Sequence, residues 1–474
     1  MNNKIIGLKC RLPRLVLLLF ALTSSLFLTG YCEASSKPIQ VFILSGQSNM
    51  VGAGKVDGGS SRWGDQFIDP VVSVYKGDYE PDTNYDSMEP IKTLPLKSFG
   101  GTEPTPYPGG GVQVTRGYIQ VKESGIYEFR PGYGGSMDNI MEVAGKVVHR
   151  KEVGQDPVRN EVRLEAGKKV AFKITYMTKD ANGLGWIVRM DVPGTLSTLV
   201  KHKGMYPYLM NDLHQWVARD DVWYRGVIAA AGSRWLGVKD GRIGPELGFG
   251  HVIGNYLDEP VLILKTSQGN RSLSWDFLPP GSTRFEYGGE IYAGYKDSPL
   301  SWEKGTDPKP ISWYAGKQYD DCFGAAQEVL KNFDQEFPHW KGRGYKIAGF
   351  AWWQGDKDRY NEAHAFQYEK NLVHLIKTLR KEFKAPGAKF VVATLGQTAK
   401  DAPSGNEKRI LDAQLAVDGD SDRYPEFKGN VATVYTHPLS QGGASNSHYD
   451  GNAQTYMDIG SAMGDAMVEL LKKE

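Results

Sequence analysis

The stretch Pro38-Ile-Gln-Val-Phe-Ile-Leu-Ser-Gly-Gln-Ser-Asn49 passes directly from an apolar run into a polar turn. A continuous apolar run of this kind is typical of a strand buried on both faces of a parallel sheet. A glycine-containing turn after such a strand would expose the hydroxyl of Ser48 and direct backbone N–H groups to the same point. The stretch therefore predicts a parallel sheet with a candidate nucleophile at its carboxyl edge. Taken alone, these residues are also compatible with an ordinary polar turn.

The apolar pattern of this first strand recurs four times along the chain. The further runs are Val261–Leu264, Ile347–Trp353, Phe390–Leu395 and Val431–Tyr435. Stretches with helical apolar spacing lie between them, at 244–257, 322–333, 368–383 and 453–471. Strands that alternate with helices favour an α/β fold, a doubly wound parallel sheet with helices on both faces.

Between about 110 and 200 the pattern changes to short alternating strands separated by turn residues. The predicted strands are Gly117–Val121, Gly125–Phe129, Asn139–Val143, Val162–Leu164, Val170–Tyr176 and Gly185–Met190. Even spacing and alternation favour an inserted antiparallel β-sandwich. The predicted α/β domain is therefore discontinuous, with 35–109 and 201–474 flanking an insert at 110–200. The segments 55–110 and 276–318, rich in Gly, Pro, Ser and Asp, are predicted as long loops.

Residues 1–34 have the pattern of a secretory signal peptide. Four basic residues, Lys4, Lys9, Arg11 and Arg14, precede an apolar run over 15–28, and Ala34 is a small residue at the cleavage position. The run is short and interrupted by Thr and Ser, so an uncleaved membrane anchor is the weaker alternative. We expect an exported protein, periplasmic or extracellular, with no integral membrane span after signal cleavage.

Composition and charge exclude several classes of protein. The 474 residues are 40% hydrophobic and 23% charged, as in soluble globular proteins rather than disordered or collagen-like chains. A formal net charge of +1 gives no electrostatic footprint for nucleic acid. Cys10 and Cys32 fall in the predicted signal, so Cys322 is expected to be a buried small hydrophobic residue rather than a disulfide partner. No histidine or cysteine spacing typical of metal ligands occurs, and no cofactor is predicted.

Polar residues follow the predicted strands at the point where each strand ends. In open parallel sheets, ligands bind outside the carboxyl ends of the strands. Ser48, Gly269-Asn270 and Gln354-Gly-Asp356 follow three of the strands, and the fifth leads through a loop to His448. Each residue alone is compatible with a structural role, and the sequence has 9 histidines. The combination is more specific than its members and predicts a shared site.

Five sequence blocks occur in a fixed order along the chain. They are Val41–Met50, Ile243–Gly250, Leu264–Leu273, Trp352–Asp358 and Ser447–Ala453. The set resembles SGNH hydrolases of the sialate O-acetylesterase and acetylxylan esterase group, with Trp352–Asp358 similar to a WxQGE-type block. The resemblance spans residues 38–55 and 243–470. It implies an SGNH-type, flavodoxin-like sheet and a secreted serine esterase that removes O-acetyl groups from carbohydrate such as sialic acid or xylan.

The resemblance implies a role for each matching residue. Ser48 would be the nucleophile and His448 its general base, the minimum device for ester cleavage by serine. The backbone N–H groups of Ser48 and Gly269, with the side chain of Gln354, would form the oxyanion hole. Asn270 would contact the substrate, which is an acetylated carbohydrate.

The acid that orients His448 is less well defined by the sequence. Many enzymes of this kind have an aspartate three residues before the histidine, and that position here is Ser445. Asp356 stands where related esterases have a glutamate after Gln-Gly, and Asp358 matches an aspartate that also recurs in the block. We favour Asp356. Asp358 could instead cap the helix that begins near Tyr360.

Two functions are compatible with this sequence. One is a secreted carbohydrate O-acetylesterase, and the other is a non-catalytic carbohydrate-binding protein that keeps the fold and lacks the acid. The presence of Ser48, Gly269, Gln354 and His448 together favours the enzyme. In Gly117–Val121 and Gly125–Phe129 the insert resembles carbohydrate-associated sandwich modules of the anthrax protective-antigen type, and a structural insertion without ligand is the alternative.

Overall fold

The computed structural model describes residues 37–80, 82–96, 111–132, 138–177, 185–239 and 241–473. The predicted signal 1–34, with Cys10 and Cys32, lies outside the described residues, as does the part of the first predicted loop at 97–110. The α-helices are α1 (Ser48–Val51), α2 (Glu246–Tyr256), α3 (Lys317–Lys331), α4 (Phe333–Glu336), α5 (Glu362–Glu382), α6 (Asn406–Ala416) and α7 (Ala453–Leu471). None of the helices in these ranges combines the length and the apolar character needed to cross a bilayer.

The strands are named here in chain order. The first twelve are β1 (Ile39–Gly46), β2 (Gly54–Lys55), β3 (Ser60–Arg62), β4 (Phe67–Tyr75), β5 (Lys92–Pro95), β6 (Val112–Ile119), β7 (Gly125–Pro131), β8 (Asn139–Val143), β9 (Lys146–Lys151), β10 (Val158–Arg159), β11 (Val162–Leu164) and β12 (Val170–Met177). The next eight are β13 (Gly185–Arg189), β14 (Ala218–Ile228), β15 (Gly232–Gly237), β16 (Arg242–Ile243), β17 (Val261–Ser267), β18 (Phe285–Tyr287), β19 (Glu290–Tyr292) and β20 (Ser301–Glu303). The last three are β21 (Tyr345–Trp353), β22 (Lys389–Ala393) and β23 (Val431–Val434).

A seven-stranded sheet with the order β15-β14-β17-β1-β21-β22-β23 forms the centre of the α/β region. The five strands predicted from apolar runs are β1, β17, β21, β22 and β23, and they lie side by side and parallel. Strand β14 adds a further parallel strand, whereas β15 pairs antiparallel with it. The predicted parallel sheet therefore carries one antiparallel strand, β15, which the sequence analysis did not predict. Too few residues separate β14 from β15 for a crossover, so only a hairpin is possible.

Helices pack on both faces of this sheet because its strands are apolar on both sides. Val41 and Ile43 of β1 belong to a core that includes residues of α3, α5 and α6. Phe42 and Leu44, which point to the opposite face, belong to a second core with residues of α2 and α7. Four of these helices, α2, α3, α5 and α7, match the predicted ones, and α6 is additional. Cys322 is fully buried in the first core, as predicted.

Two antiparallel sheets occupy the middle of the chain. Their strand orders are β10-β9-β8-β12-β6-β4-β5 and β11-β7-β13-β3. Residues of both sheets share one hydrophobic cluster, in which Phe172 comes from the first sheet and Phe129 from the second. Strands β3, β4 and β5 of these sheets come from the segment 55–110, so the loop prediction is wrong for part of that segment. Their pairing depends on partners distant in sequence, which a local pattern does not reveal. The insert as a domain stays a prediction.

The second predicted loop also contains ordered structure. Within 276–318 the strands β18, β19 and β20 form a small antiparallel sheet. Its core includes Trp275, Trp302 and Ala315. Because this segment follows β17 directly, it lies next to the carboxyl edge of the central sheet. The loop prediction is therefore wrong for part of this segment.

Gly46 is required where β1 ends against β21. Its φ is +149°, and a Cβ atom there would lie 2.2 Å from the carbonyl oxygen of Trp353. We expect Gly46→Ala to lower the free energy of unfolding by about 2 kcal/mol or more. The matched control is Gly324→Ala in α3, where a Cβ would meet no atom within 4 Å and a gain of about 0.5–1 kcal/mol is expected. Chemical denaturation of both variants checks this, and equal stability of Gly46→Ala and wild type would contradict it.

Candidate active site

The turns that follow β1, β17 and β21 are joined at the carboxyl edge of the sheet. Parallel pairing aligns Gly46 with Ser267 on one side and with Trp353 on the other. The pairing continues past the strands, since Gln47 N–H donates to the carbonyl of Trp353 (3.2 Å) and Gln268 N–H donates to the carbonyl of Gly46 (3.2 Å). The structure thus brings the turns carrying Ser48, Gly269 and Gln354 together.

Ser48 and Gly269 are direct neighbours at this edge. Ser48 is half-buried at the start of α1, and a Cβ on Gly269 would lie 3.6 Å from the Cβ of Ser48. Within the described part of the chain, the Ser48 hydroxyl and the backbone N–H groups of Ser48 and Gly269 donate no hydrogen bond. Asn270 is exposed and has a left-handed backbone, with φ of +55°. A hydroxyl, two unused N–H donors and an exposed amide therefore share one small region.

The turn of Ser48 is anchored to the segment before His448. Asn49, which is 1% exposed, donates from Nδ2 to Ser445 Oγ (2.7 Å) and accepts from Tyr456 Oη at Oδ1 (3.1 Å). Ser445 therefore serves as a partner of the serine turn, at the position where a related enzyme would have its acid. This hydrogen bonding fixes the serine turn relative to the histidine segment.

A buried ion pair supports the other end of α1. Lys265 Nζ lies 2.6 Å from Glu246 Oε2 and donates to the carbonyl of Val51 (2.8 Å). Burial lowers the pKa of Lys265, and the neighbouring Glu246 opposes that shift. The ammonium group thus satisfies the last carbonyl of a very short helix, which would otherwise be left without a partner.

His448 lies in a left-handed backbone turn. His448, Tyr449 and Asp450 have φ of +55°, +53° and +51°, a conformation that costs roughly 1–2 kcal/mol per residue for side chains other than glycine. The buried Tyr449 ring holds the turn by stacking on Trp353 (5.9 Å between ring centroids) and by accepting the N–H of Gly396 at Oη (3.2 Å). Such a strained conformation persists because the surrounding packing fixes it. His448 is half-buried on this turn.

The carboxylate of Asp356 interacts electrostatically with His448 and is paired with Arg359. Arg359 Nε donates to Asp356 Oδ1 (2.9 Å), and Asp356 is 7% exposed. Burial raises the pKa of Asp356, while Arg359 and His448 oppose the shift. Among the described residues, His448 forms no side-chain hydrogen bond with Ser48 or Asp356. In enzymes without substrate, such contacts are often long and tighten when the complex forms.

Asp358 holds two of the site turns together. It is fully buried and accepts from the N–H groups of Leu273 (2.8 Å) and Ser274 (2.9 Å). Burial raises its pKa to about 6, although these hydrogen bonds oppose the shift. The predicted capping role is wrong, because Asn361 caps α5 by accepting the N–H of His364 (3.1 Å). Asp358 instead accepts hydrogen bonds from backbone N–H groups of the turn after β17.

Gln354 is fully buried between the same turns. Its Nε2 donates to the carbonyl of Arg271 (2.9 Å) and to Asp358 Oδ2 (2.6 Å), and its Oε1 accepts from Tyr368 Oη (3.0 Å). Both amide hydrogens are therefore used within the protein. This arrangement gives Gln354 a bracing role and leaves the Ser48 and Gly269 N–H groups as the unused donors. The predicted side-chain contribution to an oxyanion hole stays a prediction.

The sequence analysis missed two residues that organise this edge. The side chain of Gln47 accepts the N–H groups of Gly355 (3.2 Å) and Lys357 (3.3 Å) at Oε1. Arg359 follows Asp356 by three residues, a spacing that could have indicated an ion pair. No group of three His, Cys, Asp or Glu side chains that could hold a metal ion occurs in the described ranges.

Comparison with known proteins identifies one matching family and several distant structures. The family of carbohydrate esterases described as sialic acid-specific acetylesterase matches residues 208–469. No curated protein matches the sequence.

Among solved structures, a carbohydrate acetylesterase from Xanthomonas citri is 11% identical and has a TM-score of 0.37, covering 77% of this chain and 72% of its own. A carbohydrate esterase family 2 enzyme with a carbohydrate binding domain, from Corynascus thermopiles (Myceliophthora fergusii), is 11% identical at a TM-score of 0.28, covering 78% and 96%. A protein from Arabidopsis thaliana is 14% identical at a TM-score of 0.32, covering 54% and 87%.

Asp358→Asn should destabilise the fold, because it replaces an oxygen that accepts from a backbone N–H group with an NH2 group, which cannot accept. We expect Asp358→Asn to lower the free energy of unfolding by about 2–3 kcal/mol. The raised pKa of Asp358, from 3.8 to about 6, means that the folded state binds the proton more tightly than the unfolded chain. The stability that this proton contributes is fully present below pH 3.8 and lost as the pH rises through about 6.

Denaturation of wild type and Asp358→Asn across this pH range measures the effect. The free energy of unfolding of wild type should exceed that of Asp358→Asn by more near pH 4 than near pH 7. The increase should be roughly the free energy that proton binding by one carboxyl group contributes to folding. Asp412→Asn, on the exposed face of α6, is the control for loss of a carboxylate. A difference that stays constant with pH would contradict the prediction.

Proposed function

The chain belongs to the sialic acid-specific acetylesterase family of carbohydrate esterases, and on that premise we propose that it removes O-acetyl groups from carbohydrate through a Ser48–His448–Asp356 mechanism. Membership makes it a carbohydrate acetylesterase, and hence a carboxylic ester hydrolase. A non-catalytic carbohydrate-binding protein on the same fold is therefore the less favoured function.

The proposal rests above all on the region shared by Ser48 and Gly269. A serine hydroxyl beside two backbone N–H donors suits an ester carbonyl, whose oxygen gains negative charge as the hydroxyl attacks. The donors belong to two turns that are hydrogen-bonded to each other across the sheet edge. They are therefore held in place before the substrate arrives, which is the condition under which such donors are most effective.

In the proposed mechanism, Ser48 Oγ attacks the acetyl carbonyl carbon while His448 accepts the hydroxyl proton. The N–H groups of Ser48 and Gly269 stabilise the oxyanion of the tetrahedral intermediate. Its collapse breaks the ester bond, and His448 returns the proton to the sugar oxygen that leaves. Water then attacks the acetyl-serine while His448 accepts a proton from it. Collapse of the second intermediate breaks the bond to Ser48 Oγ, His448 returns the proton to that oxygen, and acetate departs. Asp356 stabilises the imidazolium in both steps.

The substrate is proposed to be an acetylated glycan, such as O-acetylated sialic acid or xylan. Asn270 is proposed to contact the sugar, since its amide is exposed next to Gly269. We propose the two antiparallel sheets as an inserted sandwich at the rim of the site. The carbonyl of Gly194, beyond the last strand of the insert, accepts the N–H of Ala453 (2.7 Å), close to the histidine turn. Export through the signal at 1–34 would give the enzyme access to such glycans.

Hydrolysis of p-nitrophenyl acetate by the purified chain without residues 1–34 tests the esterase activity directly. Acetate release from acetylated xylan and from O-acetylated sialic acid then separates the substrate classes. Activity on the model ester together with one of the glycans supports the proposal. Absence of activity on every ester would overturn it.

Replacing the proposed nucleophile or base should abolish turnover without unfolding the protein. We expect Ser48→Ala and His448→Ala each to lower kcat by about a thousandfold or more, because such residues act as a unit. Ser45→Ala is the matched control on the same strand, since the buried Ser45 hydroxyl has no hydrogen-bond partner among the described residues. His374→Ala is the control for histidine, and His374 contacts the carbonyl of Pro280 instead (2.8 Å). Near-wild-type turnover in Ser48→Ala would refute the assignment.

Asparagine substitutions separate the two carboxylates of the 356–358 turn. We expect Asp356→Asn to lower kcat by about a thousandfold with a small change in melting temperature, because an amide cannot stabilise the imidazolium. Asp358→Asn is expected to act mainly on stability, through its contacts with Leu273 and Ser274. The reverse pattern would assign the acid to Asp358. Two active variants would mean that the enzyme works with Ser48 and His448 alone.

A further inference from the structure

We propose that Arg359 is a positioning residue for this esterase, holding Asp356 by one carboxylate oxygen so that the other stays available to His448. The inference rests on the proposed function, because it assumes that Asp356 is the acid of the triad. Arg359 itself is assigned no contact with the substrate. Its role is to set the orientation and the charge of Asp356, which in turn orients His448.

The contact between the two side chains is one-sided. Arg359 Nε lies 2.9 Å from Asp356 Oδ1, whereas Oδ2 of Asp356 accepts from no residue that the structure describes. The two side chains are 15% and 10% exposed, so water screens the pair only weakly. A carboxylate held at Oδ1 cannot rotate freely, and Oδ2 remains as the acceptor for an imidazole N–H.

The guanidinium group is itself held from several sides. Arg359 contacts the Glu407 carboxylate through Nη1 and donates from Nη2 to Tyr360 Oη (2.6 Å). Its Cζ lies 4.3 Å from the centroid of the Tyr360 ring, and Asn406 donates to its backbone carbonyl (3.0 Å). Glu407 and Asn406 lie at the start of α6. The turn that carries Asp356 is thereby tied to a helix of the scaffold, which a flexible loop alone would not provide.

The charged groups around Asp356 determine whether its carboxyl group is protonated or ionised. Arg359 lies on the same turn, Glu407 on α6, and His448 and Tyr449 on the histidine turn. Burial and Glu407 favour the protonated carboxyl, while Arg359 and His448 favour the carboxylate. Removal of the Arg359 charge therefore raises the proton affinity of Asp356. Because only the ionised carboxylate can stabilise an imidazolium, the pH at which activity is lost should follow the protonation of Asp356.

This predicts how the pH profile of kcat responds to the charge at position 359. The chain without residues 1–34 is assayed on p-nitrophenyl acetate from about pH 5 to 9. We expect Arg359→Met to lower kcat at neutral pH by about tenfold to a hundredfold. The acid limb of the profile, the range in which kcat falls as the pH decreases, should move to higher pH. Arg359→Lys, which keeps the charge, should leave the limb near its wild-type position. KM should change less than kcat, because Arg359 is not placed at the substrate.

A surface arginine supplies the matched control. Arg423 pairs with Glu369 at 2.6 Å, and its side chain is 61% exposed. Arg423→Met should leave kcat and the acid limb unchanged. Melting temperatures of all variants separate a loss of folding from a loss of catalysis.

The outcomes distinguish this inference from the proposed function. A wild-type chain without esterase activity refutes the proposed function. An active wild type refutes the positioning role alone if Arg359→Met leaves the acid limb unmoved, or if Arg359→Lys behaves like Arg359→Met. If Arg359→Met does not fold, Glu407→Gln provides the test, since loss of that anion should move the limb to lower pH. A limb that stays in place or moves upward in Glu407→Gln would equally overturn the proposal.

Discussion

A buried amide, that of Asn49, connects the beginning and the end of the chain at the candidate site. Asn49 and Ser445 are 396 positions apart in sequence and hydrogen-bonded to each other. The proposed pairing of Ser48 with His448 depends on this junction, because it connects the turn of Ser48 to the segment that precedes His448. The central sheet places the first turn, α7 and Tyr456 place the second, and Asn49 hydrogen-bonds to both segments. An unpaired amide in this position would be costly, so the junction is strongly specified.

The two carboxylates of the 356–358 turn illustrate how environment separates roles. Asp358 is surrounded by backbone and amide N–H donors and is removed from solvent, which suits a structural brace. Asp356 shares its surroundings with an arginine, a glutamate and a histidine, which suits a group whose charge matters. The two residues are only two positions apart, so their difference comes from the direction in which the turn points each side chain. A sequence motif alone does not contain that direction.

Some parts of the molecule could be predicted from the sequence, and others could not. Long apolar runs predicted five central strands, and apolar helical spacing predicted α2, α3, α5 and α7, because both patterns record burial directly. Strand β14, which lies between β17 and the edge strand β15, begins with the charged stretch Ala218-Arg-Asp-Asp221 and pairs with β15 in an irregular register, so its pattern does not indicate burial. Strands β3 to β5 depend on distant partners. At the site, residue types and order indicated the turns that meet, whereas the hydrogen bonding of Gln354 and Asp358 required their three-dimensional surroundings.

The left-handed turn of His448 has a consequence for how the molecule balances stability against function. Three successive residues in this conformation cost roughly 3–6 kcal/mol together, which is a sizeable part of the ~5–15 kcal/mol that stabilises a typical domain. The packing of Tyr449 against Trp353 must therefore outweigh a deficit located at the histidine itself. Glycine at positions 449 and 450 would relieve part of the deficit but hold the imidazole of His448 less firmly. The orientation of this imidazole is therefore set by a strained backbone, which the packing of Tyr449 against Trp353 maintains.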